Sequence, residues 1–284
     1  MPELPEVETI RRGLRECMTP AKAGKILRVT AFEPKSLMGD FSEIVGAEVQ
    51  EFDRRGKALI VRLSNGQSLI IHLRMTGQLI WRGEEEFAGG HPNDNFIAAL
   101  PNKQTRVEIE FEKGTLFFND QRKFGFIKIV PTEKVGEDAF IRKLAKEPWE
   151  MTGKELYEKL QRHRGSAVKP VILDQTVICG LGNIYADEAL YFAEIAPTRK
   201  AGEVSEAEVE RLVEGARVVM ERSLEAGGST IRNYVKADGT KGDYLELFAK
   251  VFNRQGKKCE RCGGEIVKIK VGGRGTHYCP QCQK

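Results

Sequence analysis

Four cysteines near the C-terminus constrain this chain more than any other feature: Cys259-x2-Cys262 and Cys279-x2-Cys282, with sixteen residues between the pairs. Two thiolates two residues apart can grip one metal from a tight turn. Two such knuckles close a tetrahedral four-sulfur site, which zinc favours. The alternative, two disulfides, needs an oxidising compartment. Nothing points to one: the N-terminus carries Glu3, Glu6 and Glu8 and has no basic stretch followed by an apolar run, so it does not read as a secretory signal. Four thiolates leave no position open for a substrate, so the expected cofactor is one structural Zn2+. Between the knuckles the pattern predicts a hairpin, Glu265 to Val271 and Thr276 to Tyr278, around the turn Gly272-Gly-Arg-Gly275. Cys17 and Cys179 stand alone and read as buried, inert thiols.

Charge adds to this. Residues 253–284 hold eight basic side chains against two acidic ones, a net +6, which leaves the rest of the chain at −2 of a total of +4. A basic module on a near-neutral body suits a polyanionic partner, though a solvated, lysine-rich tail would have the same composition. The hydrophobic fraction of 40% is enough for a real core and excludes global disorder. No apolar run is long enough to span a bilayer, so no membrane partner is expected and the cytoplasm is the default location.

The chain divides into three: residues 1–131, 132–248 and 249–284. Val7, Ile10, Leu14 and Cys17 or Met18 recur at three- and four-residue steps and predict a helix over 5–18. Pro5 and Glu6 suit its first turn. Up to about residue 130 the pattern is strand-like. Ala58–Arg62, Leu69–Leu73, Val107–Phe111 and Thr115–Phe118 are short, β-rich and separated by turns such as Asn65-Gly66, which suggests a sandwich or a barrel. Residues 82–105 show no periodicity and read as a loop. After Pro131 the pattern turns helical, with capping boxes at Thr152-x-x-Glu155 and Ser205-x-x-Glu208. The second opens a helix with Val209, Leu212, Val213, Ala216, Met220 and Leu224 on one side, ended by Gly227-Gly228. Residues 229–244 are Gly-rich and polar and predict a mobile loop.

Four segments could carry chemistry. Met1-Pro2-Glu3-Leu4-Pro5-Glu6 is first of all a helix start. If Met1 is removed, however, Pro2 presents a secondary amine. An α-amino group ionises near ~8, so a useful fraction is neutral at pH 7 and can attack a sugar carbon to form an iminium, with Glu3 placed to move protons. Gly180-Leu-Gly-Asn183 puts a Gly-rich turn at a helix start, where N–H groups and Asn183 could hold a phosphate, or which could be a plain helix–helix turn. Asp120-Gln-Arg-Lys-Phe-Gly125 offers a planar cation beside an aromatic ring, a pair able to wedge between bases, or an ordinary charged turn. Arg274 lies among three glycines, where backbone can approach DNA closely, or where a solvated arginine would also fit.

Taken together, MPELPEVE, RRGKAL, IHLRMTG, NDQRKFG, GLGNIYADE and GGRGTHYCPQCQK resemble the formamidopyrimidine-DNA glycosylase family over essentially the whole chain. The resemblance implies an α+β multidomain fold: an N-terminal helix on a β-sandwich, a helical domain with a helix–two-turn–helix element, and a zinc-ribbon hairpin, with DNA between the lobes. It implies a monomer that acts on double-stranded DNA carrying an oxidised base or abasic site. Pro2 would be the Schiff-base nucleophile, and Glu3 the acid that assists base loss and ring opening. Lys57 would donate a proton in β-elimination, and Arg274 would assist δ-elimination while binding phosphate. Met75, Arg122 and Phe124 would fill the gap left by the flipped nucleotide. His72, Arg164 and Asn183 would contact the backbone, and the loop 229–242, with Tyr234, would close on the damaged base. The endonuclease VIII-like branch, which takes oxidised pyrimidines, shares the mechanism. The Pro2–Val7 start and the Arg122-x-Phe124 pair look more like the purine branch. A non-catalytic DNA-binding scaffold is the reading outside enzymes, and intact Pro2, Glu3, Lys57 and Arg274 argue against it.

Two segments depart from the family pattern. Where Lys-His-x-His is usual, this chain has Lys103-Gln104-Thr105-Arg106, so a usual DNA-contacting histidine becomes Gln104, whose amide can still donate to phosphate. Where His-Leu-Gly-Met is usual, Arg74 replaces the glycine. The zinc reading has a direct consequence. Strong chelation, or Cys259→Ser, is expected to unfold residues near 255–284 and weaken DNA binding. Limited proteolysis and a binding titration check this; metal-free protein that binds DNA undiminished would contradict the structural role.

Overall fold

The first helix, α1 (Leu4–Cys17), starts where Pro5 presets the backbone and the Glu6 carboxylate accepts the Glu3 N–H at 2.8 Å. Its Val7, Ile10 and Leu14 are buried, as their spacing predicts. A short α2 (Pro20–Ala23) follows. In this computed structural model, which describes residues 2–91, 98–227 and 247–284, contacts divide the chain into two units: residues up to Arg142, and 143–226 with 247–284.

The described residues of the first unit form ten strands: β1 (Ile26–Ala31), β2 (Leu37–Met38), β3 (Val49–Arg55), β4 (Ala58–Leu63), β5 (Gln67–His72), β6 (Gly77–Gly83), β7 (Phe87–Gly90), β8 (Thr105–Phe111), β9 (Gly114–Asp120) and β10 (Phe126–Pro131). They form two five-stranded sheets, ordered β1-β8-β9-β6-β7 and β2-β10-β5-β4-β3. All pairings are antiparallel except β10 with β2. Leu79, Trp81, Val107, Ile109 and Phe118 of one sheet share a core with Phe52, Leu59, Val61, Leu69 and Ile71 of the other, closed by α1. The architecture is therefore a sandwich. Both sheets are also covered outside. Ala58, Ile60 and Ile70 meet Val135, Phe140 and Ile141 on one outer face, and Ile80 and Phe117 meet Ala88 and Leu100 on the other. Burial on both faces explains why β4 and β5 read as continuous apolar runs rather than alternating ones.

The predicted loop over 82–105 needs correction. It contains the end of β6, the strand β7 and the first residue of β8. No side-chain alternation marks β7, because Gly89 is set by the helix lying on it and Gly90 by the backbone of β6. A Cβ at Gly89 would sit 2.6 Å from Ile10 Cγ1, and one at Gly13 would sit 2.0 Å from the Phe87 ring. Two glycines thus let α1 approach closely, and small residues erase the signal that periodicity reads.

The second unit is built on α3 (Gly153–Gln161), α4 (Val168–Ile172), α5 (Asn183–Phe192) and α6 (Glu206–Glu225). Both predicted capping boxes form: Thr152 Oγ1 and Ser205 Oγ accept the Glu155 and Glu208 N–H groups, and each glutamate returns a bond to the cap. Two turns join α4 to α5, the helix–two-turn–helix element. The hairpin consists of β11 (Val267–Val271) and β12 (Arg274–Tyr278). Its turn is only Gly272-Gly273, both in the left-handed region (φ 54° and 79°), as a tight hairpin demands. Arg274 is therefore not in the turn but opens β12, opposite Val271.

A buried ion pair docks this hairpin on the helices. Lys169 on α4 and Asp187 on α5 are both inaccessible to solvent, with Nζ and Oδ1 2.6 Å apart. Lys169 Nζ also donates to Thr276 Oγ1 at 2.8 Å, and Asp187 Oδ2 accepts the His277 N–H at 2.8 Å. Removing one partner of such a pair leaves a dry, unmatched charge. Asp187→Ala is expected to cost about 3–5 kcal/mol, measured by urea denaturation of the second unit's signal; a loss below ~1 kcal/mol, the value of an exposed pair, would contradict this.

Candidate nucleic-acid interface and active site

At the N-terminus, Pro2 is buried and Glu3 is 2% exposed. The Glu6 bond to the Glu3 N–H fixes the peptide after Pro2, so the helix start also holds the two residues of chemical interest. Lys57 follows Gly56 (φ 57°) in the two-residue link between β3 and β4, yet is only 7% exposed, an uncommon place for a lysine.

His72 ends β5. Its ring lies 5.9 Å from the Phe126 ring, nearly parallel, and 5.2 Å from that of Phe140, edge on. Burial, with the nearby charges of Arg74 and Lys57, lowers its pKa to about 3. The ring is therefore neutral at physiological pH. Nδ1 accepts the Arg74 N–H at 3.0 Å, which leaves the proton on Nε2, where it can be donated.

Two turns follow from the sheets. In one, Arg74 takes φ 50°, which explains a glycine in the family pattern. Its exposed side chain lies 5.8 and 5.7 Å from the Phe126 and Phe140 rings, a cation–π arrangement that offsets part of the backbone cost. The partly exposed Met75 comes next. In the other turn, Arg122 and Phe124 are exposed, Phe124 by 57%, and the guanidinium carbon lies 4.9 Å from the ring centre. Lys123 between them takes φ 59° and pairs with Glu33 at 2.7 Å. Gln104 is partly exposed just before β8, and its carbonyl accepts the Asp120 N–H. Arg106 is largely buried; its Nε donates to the Asp120 carbonyl at 2.6 Å, a structural use for this departure from the family pattern.

In the second unit, Gly182 caps α5 and Asn183 is its first residue. Asn183 Nδ2 donates to the Gly275 carbonyl at 2.9 Å, linking the helix start to the strand that carries the exposed Arg274. Arg164 is exposed in the turn after α3. The sulfurs of Cys259, Cys262, Cys279 and Cys282 lie within 4.8 Å of one another, with Cys259–Cys282 at 3.8 Å and Cys262–Cys279 at 3.5 Å. A tetrahedron of Zn–S bonds of about 2.3 Å has edges near ~3.8 Å, so this set fits one structural zinc. The Tyr191 hydroxyl lies 3.3 Å from Cys259 Sγ, and the Glu188 carboxylate accepts three N–H groups from Lys250, Val251 and Phe252. Cys17 and Cys179 are buried, as expected. Tyr234 and the loop 229–242 lie outside the described residues.

Sequence reading missed the anchors Lys169, Asp187, Glu188 and Asp120. They carry no spacing signature; only burial with saturated donors or acceptors distinguishes them. Among the described residues, no helix is long and apolar enough to cross a membrane.

A β-sandwich, a helix–two-turn–helix element and a zinc ribbon, with cations and an aromatic exposed on tight turns, define a class of nucleic-acid-binding protein. Family models match along the chain: the formamidopyrimidine-DNA glycosylase N-terminal domain over 1–127, the H2TH domain of that family over 144–235, and the zinc finger found in FPG and IleRS over 256–284. The formamidopyrimidine-DNA glycosylase of Pelotomaculum thermopropionicum is 41% identical, over 100% of this chain and 99% of its own. A Lactococcus lactis FPG mutant in complex with Fapy-dG containing DNA superposes with a TM-score of 0.86 at 35% identity, and MutM in complex with carbocyclic 8-oxo-G containing DNA with 0.84 at 34%; each match covers 100% of both chains. The chain belongs to the formamidopyrimidine-DNA glycosylase family.

The neutral state of His72 has a measurable consequence. An unfolded chain takes up a proton at this histidine as pH falls through its ordinary value of 6.5, whereas the folded chain resists down to about 3. The stabilisation is complete above 6.5 and is lost progressively below it. Between pH 6 and 4, His72→Gln should flatten the pH dependence of unfolding free energy by up to about 1.4 kcal/mol per pH unit, one proton's worth. Equal slopes in parent and variant would show that His72 titrates normally.

Proposed function

We propose that this protein is a base-excision repair enzyme: a DNA glycosylase that removes oxidised purines, 8-oxoguanine and formamidopyrimidines, and an abasic-site lyase that then cleaves the strand. Membership of the family carries the reaction class. The observation that carries it to particular residues is the buried Pro2-Glu3 pair, held at the start of α1 by Glu6.

With Met1 removed, the neutral amine of Pro2 attacks C1′ of the damaged nucleotide. The glycosidic bond breaks, the base leaves with the proton that the Pro2 nitrogen gives up, and Glu3 protonates the ring oxygen, which opens the sugar as the iminium forms. Lys57 serves the β-elimination, and Arg274 binds phosphate and serves the δ-elimination. His72 donates from Nε2 to a backbone phosphate, with Gln104, Arg164 and Asn183 as further contacts. Tyr234 belongs to the segment assigned to the damaged base. Extraction of that base leaves a gap, which Met75 and Phe124 fill with apolar surface. Arg122, a donor-only cation, matches the acceptor edge of an orphaned cytosine but meets a donor on adenine, so lesions opposite cytosine are preferred. The relatives are bacterial, and such an enzyme works where the chromosome lies, in the bacterial cytoplasm.

Borohydride reduction tests the covalent step. Protein with a free Pro2 is expected to be trapped as a stable amine adduct on duplexes carrying 8-oxoguanine, whereas an uncleaved N-terminal tag should abolish trapping. Glu3→Gln should still bind DNA but lose ~10²–10⁴-fold in base excision. Trapping that survives a blocked N-terminus would move the nucleophile to a lysine.

A further inference from the structure

Asp120 ends β9 with no solvent exposure, and its carboxylate is saturated from two directions. Oδ1 accepts the Thr76 hydroxyl and the Arg122 N–H, the latter at 3.1 Å. Oδ2 accepts the Phe124 N–H at 2.8 Å and the Gly125 N–H at 2.7 Å. Thr76 Oγ1 in turn accepts the Arg122 N–H at 3.0 Å. Thr76 follows Met75 directly, so one carboxylate and one hydroxyl hold both the Met75 turn and the Arg122–Phe124 turn. These turns are 44 residues apart in sequence at the Thr76–Asp120 contact.

A second observation agrees. Each turn contains a non-glycine residue in the left-handed region, Arg74 at φ 50° and Lys123 at φ 59°. Such conformations persist only where neighbours over-determine them, and a shared acceptor is such a neighbour.

We propose that Asp120 and Thr76 are a positioning pair that couples the two turns, so that gap filling by Met75 and reading of the orphaned base by Arg122 occur as one event. The inference rests on the function proposed above. Without the pair, each turn keeps its side chains but samples its own backbone conformations. Arg122 then meets the opposite base in several orientations, and its distinction between cytosine and adenine blurs. A step that needs neither base extraction nor orphan-base reading, attack on a pre-formed abasic site, is spared.

Thr76→Val removes the shared hydroxyl at nearly constant shape, and Thr76→Ser restores it. Asp120→Asn is the harsher variant, because its amide nitrogen would face N–H donors whichever way it turned. Single-turnover excision of 8-oxoguanine opposite cytosine and opposite adenine is measured for each, together with borohydride trapping on abasic DNA. Thr76→Val is expected to lose roughly tenfold of the cytosine-over-adenine preference, the size of one buried hydrogen-bonded link. Thr76→Ser should keep it. Trapping on abasic DNA should stay within about twofold of the parent, since a positioning role acts before the covalent step. Adding Arg122→Ala to Thr76→Val should lower the preference little further, because coupled residues are not additive. The proposal is overturned if Thr76→Val keeps the parent's preference, if Thr76→Ser fails as valine does, or if abasic-site trapping falls in step with excision. A parent protein that excises no 8-oxoguanine overturns the function itself and this inference with it.

Discussion

A carboxylate that loses its water must be surrounded by donors, and both units of this protein are organised around that requirement. In the first, Asp120 collects three backbone N–H groups and the Thr76 hydroxyl. Nearby, Asp138 collects the N–H groups of Phe140 and Ile141 and the ammonium of Lys128. Burial works against its ionisation, but these partners hold its carboxyl below the usual range. In the second unit, Asp187 joins Lys169 and the His277 N–H, while Glu188 gathers the chain entering the zinc module. Burial pushes the Glu188 carboxyl up in spite of its three donors. Each carboxylate pins a turn or a chain crossing that apolar packing alone would leave free to slide.

These pins hold the backbone of residues proposed above to contact DNA, or of their immediate neighbours. Asp138 sets Phe140, whose ring meets that of His72 edge-to-face and whose face lies near Arg74. Asp120 sets the turn of Arg122 and Phe124. Asp187 and Lys169 set β12, and so the strand that carries Arg274. The recurring plan is an exposed tip on a buried polar root. An interrogating side chain must reach out of the protein, where little packing can hold it. Rigidity therefore has to come from its backbone, through hydrogen bonds made where water cannot compete. The zinc site follows the same plan with sulfur and metal replacing carboxylate and N–H, since a module of some thirty residues is too small to build a sufficient core.

Much of this was legible in the sequence, for identifiable reasons. Metal-ligand spacing is local, so Cys259, Cys262, Cys279 and Cys282 declared their site before any fold was known. Capping boxes are local as well, and Thr152 and Ser205 opened α3 and α6 as read. The periodicity of α1 survived because its apolar residues recur in step with the helix, even though Leu4 to Ile10 are buried on every side. Strand β7 was invisible because Gly89 answers to a helix far away in sequence and Gly90 to the backbone of β6. The turn of the zinc hairpin was drawn too long because Arg274 pairs across to Val271, and pairing is a property of two strands, not of one.

The sequence by itself determined the zinc ligands, the helix starts, the strand-rich first half and the family to which the chain belongs, because each rests on residue types at fixed short spacings. Tertiary structure alone decided that Asp120 and Thr76 meet across 44 residues, that Lys169 loses all contact with water beside Asp187, and that His72 is neutral between two aromatic rings. It also decided that an arginine can occupy a glycine-like conformation at position 74. These outcomes depend on desolvation, and how much water a side chain loses is set by whatever the fold brings against it from distant parts of the chain.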